Sequence, residues 1–177
     1  METRLRLAPI LTALCLALPA SAQEVGLRLL DHGVICQVVS EGTIAAPQTE
    51  QGRLNLIAQD RDIDLTTTLV PAELGISFGI RFISEGGSAP QPVTVVLTHP
   101  PMGPRGVTRQ SWVTVLHPDD PGLALFTFEF PYEMVTGRWT LALEGEGVRL
   151  AEQGFDVVPA EAAATVLAAC PGPVPMS

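Results

Sequence analysis

A two-residue alternation of apolar and polar side chains constrains this chain more than any other feature. Leu74, Ile76, Phe78, Ile80 and Phe82 are apolar, and Gly75, Ser77, Gly79 and Arg81 stand between them. A β-strand points successive side chains to opposite faces, so this run predicts a strand with one face in a core and one in water. Phe126, Phe128 and Phe130 alternate with Thr127 and Glu129, and Trp139, Leu141 and Leu143 alternate with Arg138, Thr140, Ala142 and Glu144. Val93, Val95 and Leu97 do the same around Thr94, Val96 and Thr98, although Val96 blurs the pattern. Weaker strand segments lie at 25–30, 34–39, 53–58, 63–70, 111–116 and 148–158. Asp31-His32-Gly33, Glu85-Gly86-Gly87, Pro118-Asp119-Asp120-Pro121-Gly122 and Glu144-Gly145-Glu146-Gly147 read as turns. Polar alternation opposes a parallel α/β sheet, whose strands are apolar on both faces.

One segment reads as helix. Residues 161–169 are alanine-rich and stop before Cys170-Pro171-Gly172-Pro173. So short a helix is marginal in water unless something ties it down. Thr136-Gly137-Arg138-Trp139 opens an alternating strand, a glycine turn follows, and Gly154-Phe155-Asp156-Val157-Val158 supplies a last strand. This ending is similar to that of many immunoglobulin-like domains, with Trp139 plugging the core near one end. The expected fold is all-β, a single immunoglobulin-like antiparallel β-sandwich of about 7–9 strands with a short C-terminal helix or tail.

The first residues read as an address rather than as fold. Arg4 and Arg6 precede an apolar run over 7–18 that is shorter than the roughly 20 residues needed to cross a bilayer. Ala20-Ser21-Ala22 then offers the small residues of a cleavage site. The expected organisation is a secretory signal peptide over 1–22, an immunoglobulin-like domain over 23–159, and a helix or tail over 160–177. Export predicts a periplasmic or secreted protein with no membrane span after cleavage. Cleavage removes Cys15 and leaves Cys36 and Cys170, one near each end. A lone pair in an oxidising compartment closes into a disulfide, which here would tie the tail to the body.

Charge narrows the partners. The chain holds 10 basic and 19 acidic residues, a net −9, and no lysine. Losing Glu2, Arg4 and Arg6 with the signal leaves 8 and 18, a net −10. Such a surface repels nucleic acid, which is therefore not an expected partner.

Four stretches carry a family resemblance: Glu41-Gly42-Thr43-Ile44-Ala45-Ala46-Pro47, Val70-Pro71-Ala72 leading into Leu74-Gly75-Ile76, Thr98-His99-Pro100-Pro101-Met102-Gly103-Pro104, and Phe130-Pro131-Tyr132-Glu133-Met134-Val135-Thr136-Gly137. Together they resemble the exported bacterial domain of unknown function 3859 family, from about Gly33 to Pro159. The resemblance implies an exported all-β domain and supplies no catalytic residue to carry over.

His99, Pro100, Pro101, Met102, Arg105 and Arg109 form the candidate recognition loop. Pro100 and Pro101 fix φ and are expected to end the strand after Thr98, with Gly103-Pro104 and Gly106 turning the chain. No acid lies between Thr98 and Ser111, so the two arginines make a local positive spot suited to carboxylate or phosphate. The expected partner is an envelope protein or a small anionic group. An alternative is weak copper binding through His99 and Met102, with His117 close to His99 if their strands pair. A dense Cys/His/Met cluster is lacking, so no metal or cofactor is assigned. Asp60-x-Asp62-x-Asp64 fails the calcium-loop pattern, because Leu65 stands where glycine is required. Ser77 fits the letters Gly-x-Ser-x-Gly but lies in an alternating strand, not at a strand-to-helix elbow. Glu129 and Glu133 have acid/base chemistry but no nameable partner. The reading is a non-catalytic binding module, with an enzyme of unrecognised type as the other alternative.

Overall fold

The computed structural model describes residues 26–86 and 89–170, so the signal peptide expected over 1–22 and the end of the tail lie outside the described residues. Eleven strands follow in order: β1 (Gly26–Ile35), β2 (Gly42–Ala45), β3 (Arg53–Leu56), β4 (Leu65–Thr66), β5 (Leu69–Ala72), β6 (Ser77–Glu85), β7 (Gln91–Met102), β8 (Val107–Leu116), β9 (Gly122–Thr127), β10 (Gly137–Gly145) and β11 (Val148–Pro159). A four-stranded sheet runs β4-β1-β6-β9, a five-stranded sheet runs β5-β11-β10-β7-β8, and β2-β3 is a separate hairpin. The pairings between these strands are antiparallel except β5 with β11, which is parallel, and an isolated parallel bridge joins Ser84 to Pro118.

The alternation places the core. Phe78, Ile80 and Phe82 of β6 pack with Val95 and Leu97 of β7, Trp139, Leu141 and Leu143 of β10, and Phe155 and Val157 of β11. Burying each such side chain contributes about 1.5–3 kcal/mol. Trp139 is fully buried, donates its indole N–H to the Val135 carbonyl at 2.8 Å, and meets Phe78, Phe126 and Phe128 through its ring. The Glu144–Gly147 turn forms as expected, with positive φ at Glu146 (50°) and Gly147 (79°), the backbone of a tight hairpin.

Several boundaries differ from the sequence expectation. Asp31-His32-Gly33 does not turn the chain; β1 runs through it with a register shift between Leu29 and Asp31. Gly33 has φ 153°, and a Cβ there would lie 1.9 Å from the Leu65 carbonyl, so glycine is required by the close approach of β4. The segment at 63–70 divides between the two sheets as β4 and β5. Leu74 is exposed, and β6 starts at Ser77. These splits and the β2-β3 hairpin raise the strand number above the expected range.

Pro100 and Pro101 do not end β7. Its pairing with β8 jumps from Thr98↔Arg109 to Met102↔Val107, leaving three residues of β7 opposite one of β8. This wide bulge removes both prolines from the hydrogen-bond ladder they cannot join. At the C-terminus a 3-10 turn, Ala160–Ala163, leads into α1, Ala164–Ala169. Cys36 at the end of β1 is bonded to Cys170 at the end of α1, 134 positions away, as the cysteine arithmetic predicts.

Candidate functional site

The six residues of the candidate recognition loop are placed on the β7-β8 hairpin, and most are already engaged. Met102 is 1% exposed in the core. His99 is buried and stacks on Trp139 with ring centroids 4.6 Å apart. Its Nδ1–H donates to the Pro100 carbonyl at 2.8 Å, and its Nε2 accepts from the Gln110 side-chain amide at 3.1 Å. Gln110 in turn accepts the Glu50 backbone N–H at 2.7 Å, which fixes the amide orientation and hence the neutral histidine tautomer. Burial lowers the His99 pKa, against opposing contributions from the Pro100 carbonyl and the Glu50 charge.

This geometry leaves no free imidazole nitrogen for copper. His117 is no help, because β7 and β8 pair so that His117 follows Leu116 opposite Gln91, at the other end from His99. Among the described residues no group of three or more His, Cys, Asp or Glu side chains gathers as a metal site. Asp62 pairs with Arg81, and Asp64 pairs with Arg61 and accepts the Cys36 N–H at 2.9 Å. Ser77 bonds to the Thr127 hydroxyl at 2.7 Å across β6 and β9.

Arg105 is also occupied. It reaches the Glu50 carboxylate at 2.8 Å and donates to the Thr49 and Glu50 carbonyls at 3.3 and 2.7 Å. The guanidinium thus staples the β7-β8 turn to the β2-β3 turn. Arg109 is looser, 3.9 Å from Glu144 and over half exposed.

A cleft lies beside this staple. It has a volume of about 170 Å³ and sits where hairpin β2-β3 crosses the edges of β8 and β9. Its walls include Gln51, Asn55, Gln110, Trp112, Glu129 and Glu133. Sites for drug-sized ligands run to roughly 300–1,000 Å³, so this volume suits one side chain or a small polar group.

Glu133 organises the cleft from beneath. It is 1% exposed. One carboxylate oxygen accepts the backbone N–H groups of Glu129 and Phe130 at 2.7 and 2.9 Å, and the other accepts the Gln51 amide at 2.7 Å. Burial raises its pKa, while these hydrogen bonds oppose the shift. The same Gln51 nitrogen donates to Glu129 at 3.1 Å, and Asn55 donates to the other Glu129 oxygen. Glu133 therefore caps the 3-10 turn Pro131–Glu133, and Glu129 stands exposed at the mouth between two amides. On the same turn Phe130 and Tyr132 are 37% and 40% exposed and stack on each other, centroids 5.5 Å apart and planes 9° apart.

The sequence names Glu129 and Glu133 without partners. It misses Gln51, Asn55, Gln110 and Trp112, which reach the cleft from segments of no shared period. The amides Gln48, Gln51 and Asn55, gathered within eight positions, were the available signal.

Comparison with known proteins agrees with the fold. A crystal structure of an immunoglobulin-like protein from Pseudomonas aeruginosa is similar, with a TM-score of 0.52 and 25% sequence identity, covering 78% of this chain and 100% of its own. The sandwich is thus immunoglobulin-like, as the Trp139 strand and its successor indicate. No curated protein matches the chain. Residues 26–157 match the domain of unknown function DUF3859, which spans both sheets and every wall of the cleft, and the chain belongs to that family.

Proposed function

We propose that this chain is a non-catalytic interaction module of the cell envelope, exported to the periplasm or beyond, that recognises another envelope protein at the cleft between hairpin β2-β3 and strands β8 and β9. The observation that supports this reading is the cleft itself, a side-chain-sized opening whose polar groups are held in place by hydrogen bonds before any partner arrives. Preorganised groups lose little entropy on binding. Glu133 does not favour an enzyme, because both its oxygens are spent on the turn and on Gln51. A small anion at Arg105 is disfavoured in the same way, since Glu50 already fills the guanidinium fork.

Site-specific cross-linking tests the reading. A photoreactive phenylalanine replacing Ser40, which borders the cleft, should capture a discrete envelope protein; the same group replacing the exposed Val148 at the start of β11 should not. Equal capture from both positions, or none from position 40, refutes it.

A further inference from the structure

The turn at 129–133 combines two features seldom left together in water. Phe130 and Tyr132 form an exposed stacked pair, and Glu129 places an exposed carboxylate one residue away. Neither is loose. Glu133 clamps the backbone of Glu129 and Phe130 from inside, Pro131 fixes φ within the turn, and Gln51 and Asn55 orient the Glu129 oxygens. Burial raises the Tyr132 pKa, and the charges of Glu133, Glu50 and Glu129 raise it further against the opposing charge of Arg53. The local balance is negative, on a chain whose net charge is −9 and which has no lysine.

We infer that the Phe130–Tyr132 face, with Glu129 at its edge, is the docking platform for an arginine side chain presented by a basic segment of a partner protein. A guanidinium is planar. It stacks on aromatic faces and can donate to the second lone pair that each exposed Glu129 oxygen keeps beside its amide, whereas an ammonium does the second only as a point charge. Exposed aromatic residues and arginine are also the side chains that most often anchor interfaces. The negative field of the whole chain steers such a segment toward the surface and disfavours acidic competitors. Arg53 also lines the cleft, and its charge is outnumbered by Glu129 and Glu133.

This inference rests on the cleft reading above and is tested separately from it. The probe is the peptide acetyl-Ser-Gly-Arg-Gly-Ser-amide, titrated into the oxidised, isotope-labelled protein and followed by two-dimensional NMR. Saturable shifts are expected at the Gln51 and Asn55 side-chain amides and at the Phe130 and Tyr132 backbone. The same peptide with citrulline, neutral and nearly isosteric, should bind at least about tenfold more weakly, as should the lysine peptide. Glu129→Gln should cost about tenfold in affinity, roughly 1.4 kcal/mol, in a variant that still unfolds cooperatively. Tyr132→Ala should weaken binding similarly while leaving the Glu133 clamp intact. Equal binding of the citrulline or lysine peptide, indifference to Glu129→Gln, or unsaturable shifts spread over the acidic surface would overturn the arginine assignment. A cross-linked partner captured through position 40 and retained by Glu129→Gln would overturn it too, yet leave the cleft reading standing.

Discussion

His99 shows how a residue's chemistry is decided by what surrounds it. Histidine beside methionine and arginines suggests a ligand or an anion site. Stacked on Trp139, donating to Pro100 and accepting from Gln110, it is instead a neutral core residue. Its ordinary pKa of 6.5 is lowered by burial, so the unfolded chain binds the extra proton first as pH falls. Its contribution is fully present above about pH 6.5 and is lost below that value until the folded-state pKa is passed, at no more than about 1.4 kcal/mol per pH unit. His99→Phe keeps the stack and removes the titration. Chemical denaturation at pH 7 should find the variant about 1–3 kcal/mol less stable, because the Gln110 amide loses its acceptor in a buried place. Between pH 6.5 and 5 its stability should fall less than that of the wild type. Parallel curves would show that the ring does not titrate against the fold.

At the level of elements, the strand centres were legible in the sequence and their ends were not. Alternation records burial, and burial is what β6, β7, β10 and β11 share. Where β7 stops depends on whether a bulge can host Pro100 and Pro101, a matter of register that no single segment contains. The cleft was less legible still. Glu50 to Gln110 and Gln51 to Glu133 span 60 and 82 positions, and amides pairing at that distance leave no local pattern. The C-terminal element was legible through its cysteine. α1 is too short to persist alone, yet Ala163, Val166 and Leu167 pack into the core beside β5. Cys36→Ser with Cys170→Ser removes a constraint worth up to about 4–5 kcal/mol in the chain-entropy account. Hydrogen exchange should then quicken first in α1 and β5, before the β6 and β10 amides respond. Uniform quickening throughout would mean that the bridge stabilises only the global fold.

For the whole molecule the unsolved problem of any open sandwich is its four edges, which can pair with other chains unless they are covered. Each edge here has its own treatment. β4 is only two residues long. β5 is covered by the turn Ala160–Ala163 and by α1, held through Cys36 and Cys170. β8 and β9 share one cover, the segment running through hairpin β2-β3. Ser111 N–H is met by the Gln48 carbonyl, Leu123 N–H by the Gln59 side chain, and Glu129 by Gln51 and Asn55. Val113 and Val115 remain exposed on β8, so the edge beside them is the one whose cover matters most. The hairpin that walls the cleft is, on this account, also what keeps β8 from pairing with a second copy. Replacing 42–56 with a glycine-serine linker of equal length removes no residue of either main sheet or of the disulfide, and it opens the β8 edge at Ser111. Sedimentation velocity at increasing concentration should then show concentration-dependent association of the variant beyond that of the intact chain, and a charged residue at Val113, as Val113→Lys, should reverse it. If the linker variant sediments as the parent does at every concentration, the hairpin is not what keeps the β8 edge from pairing.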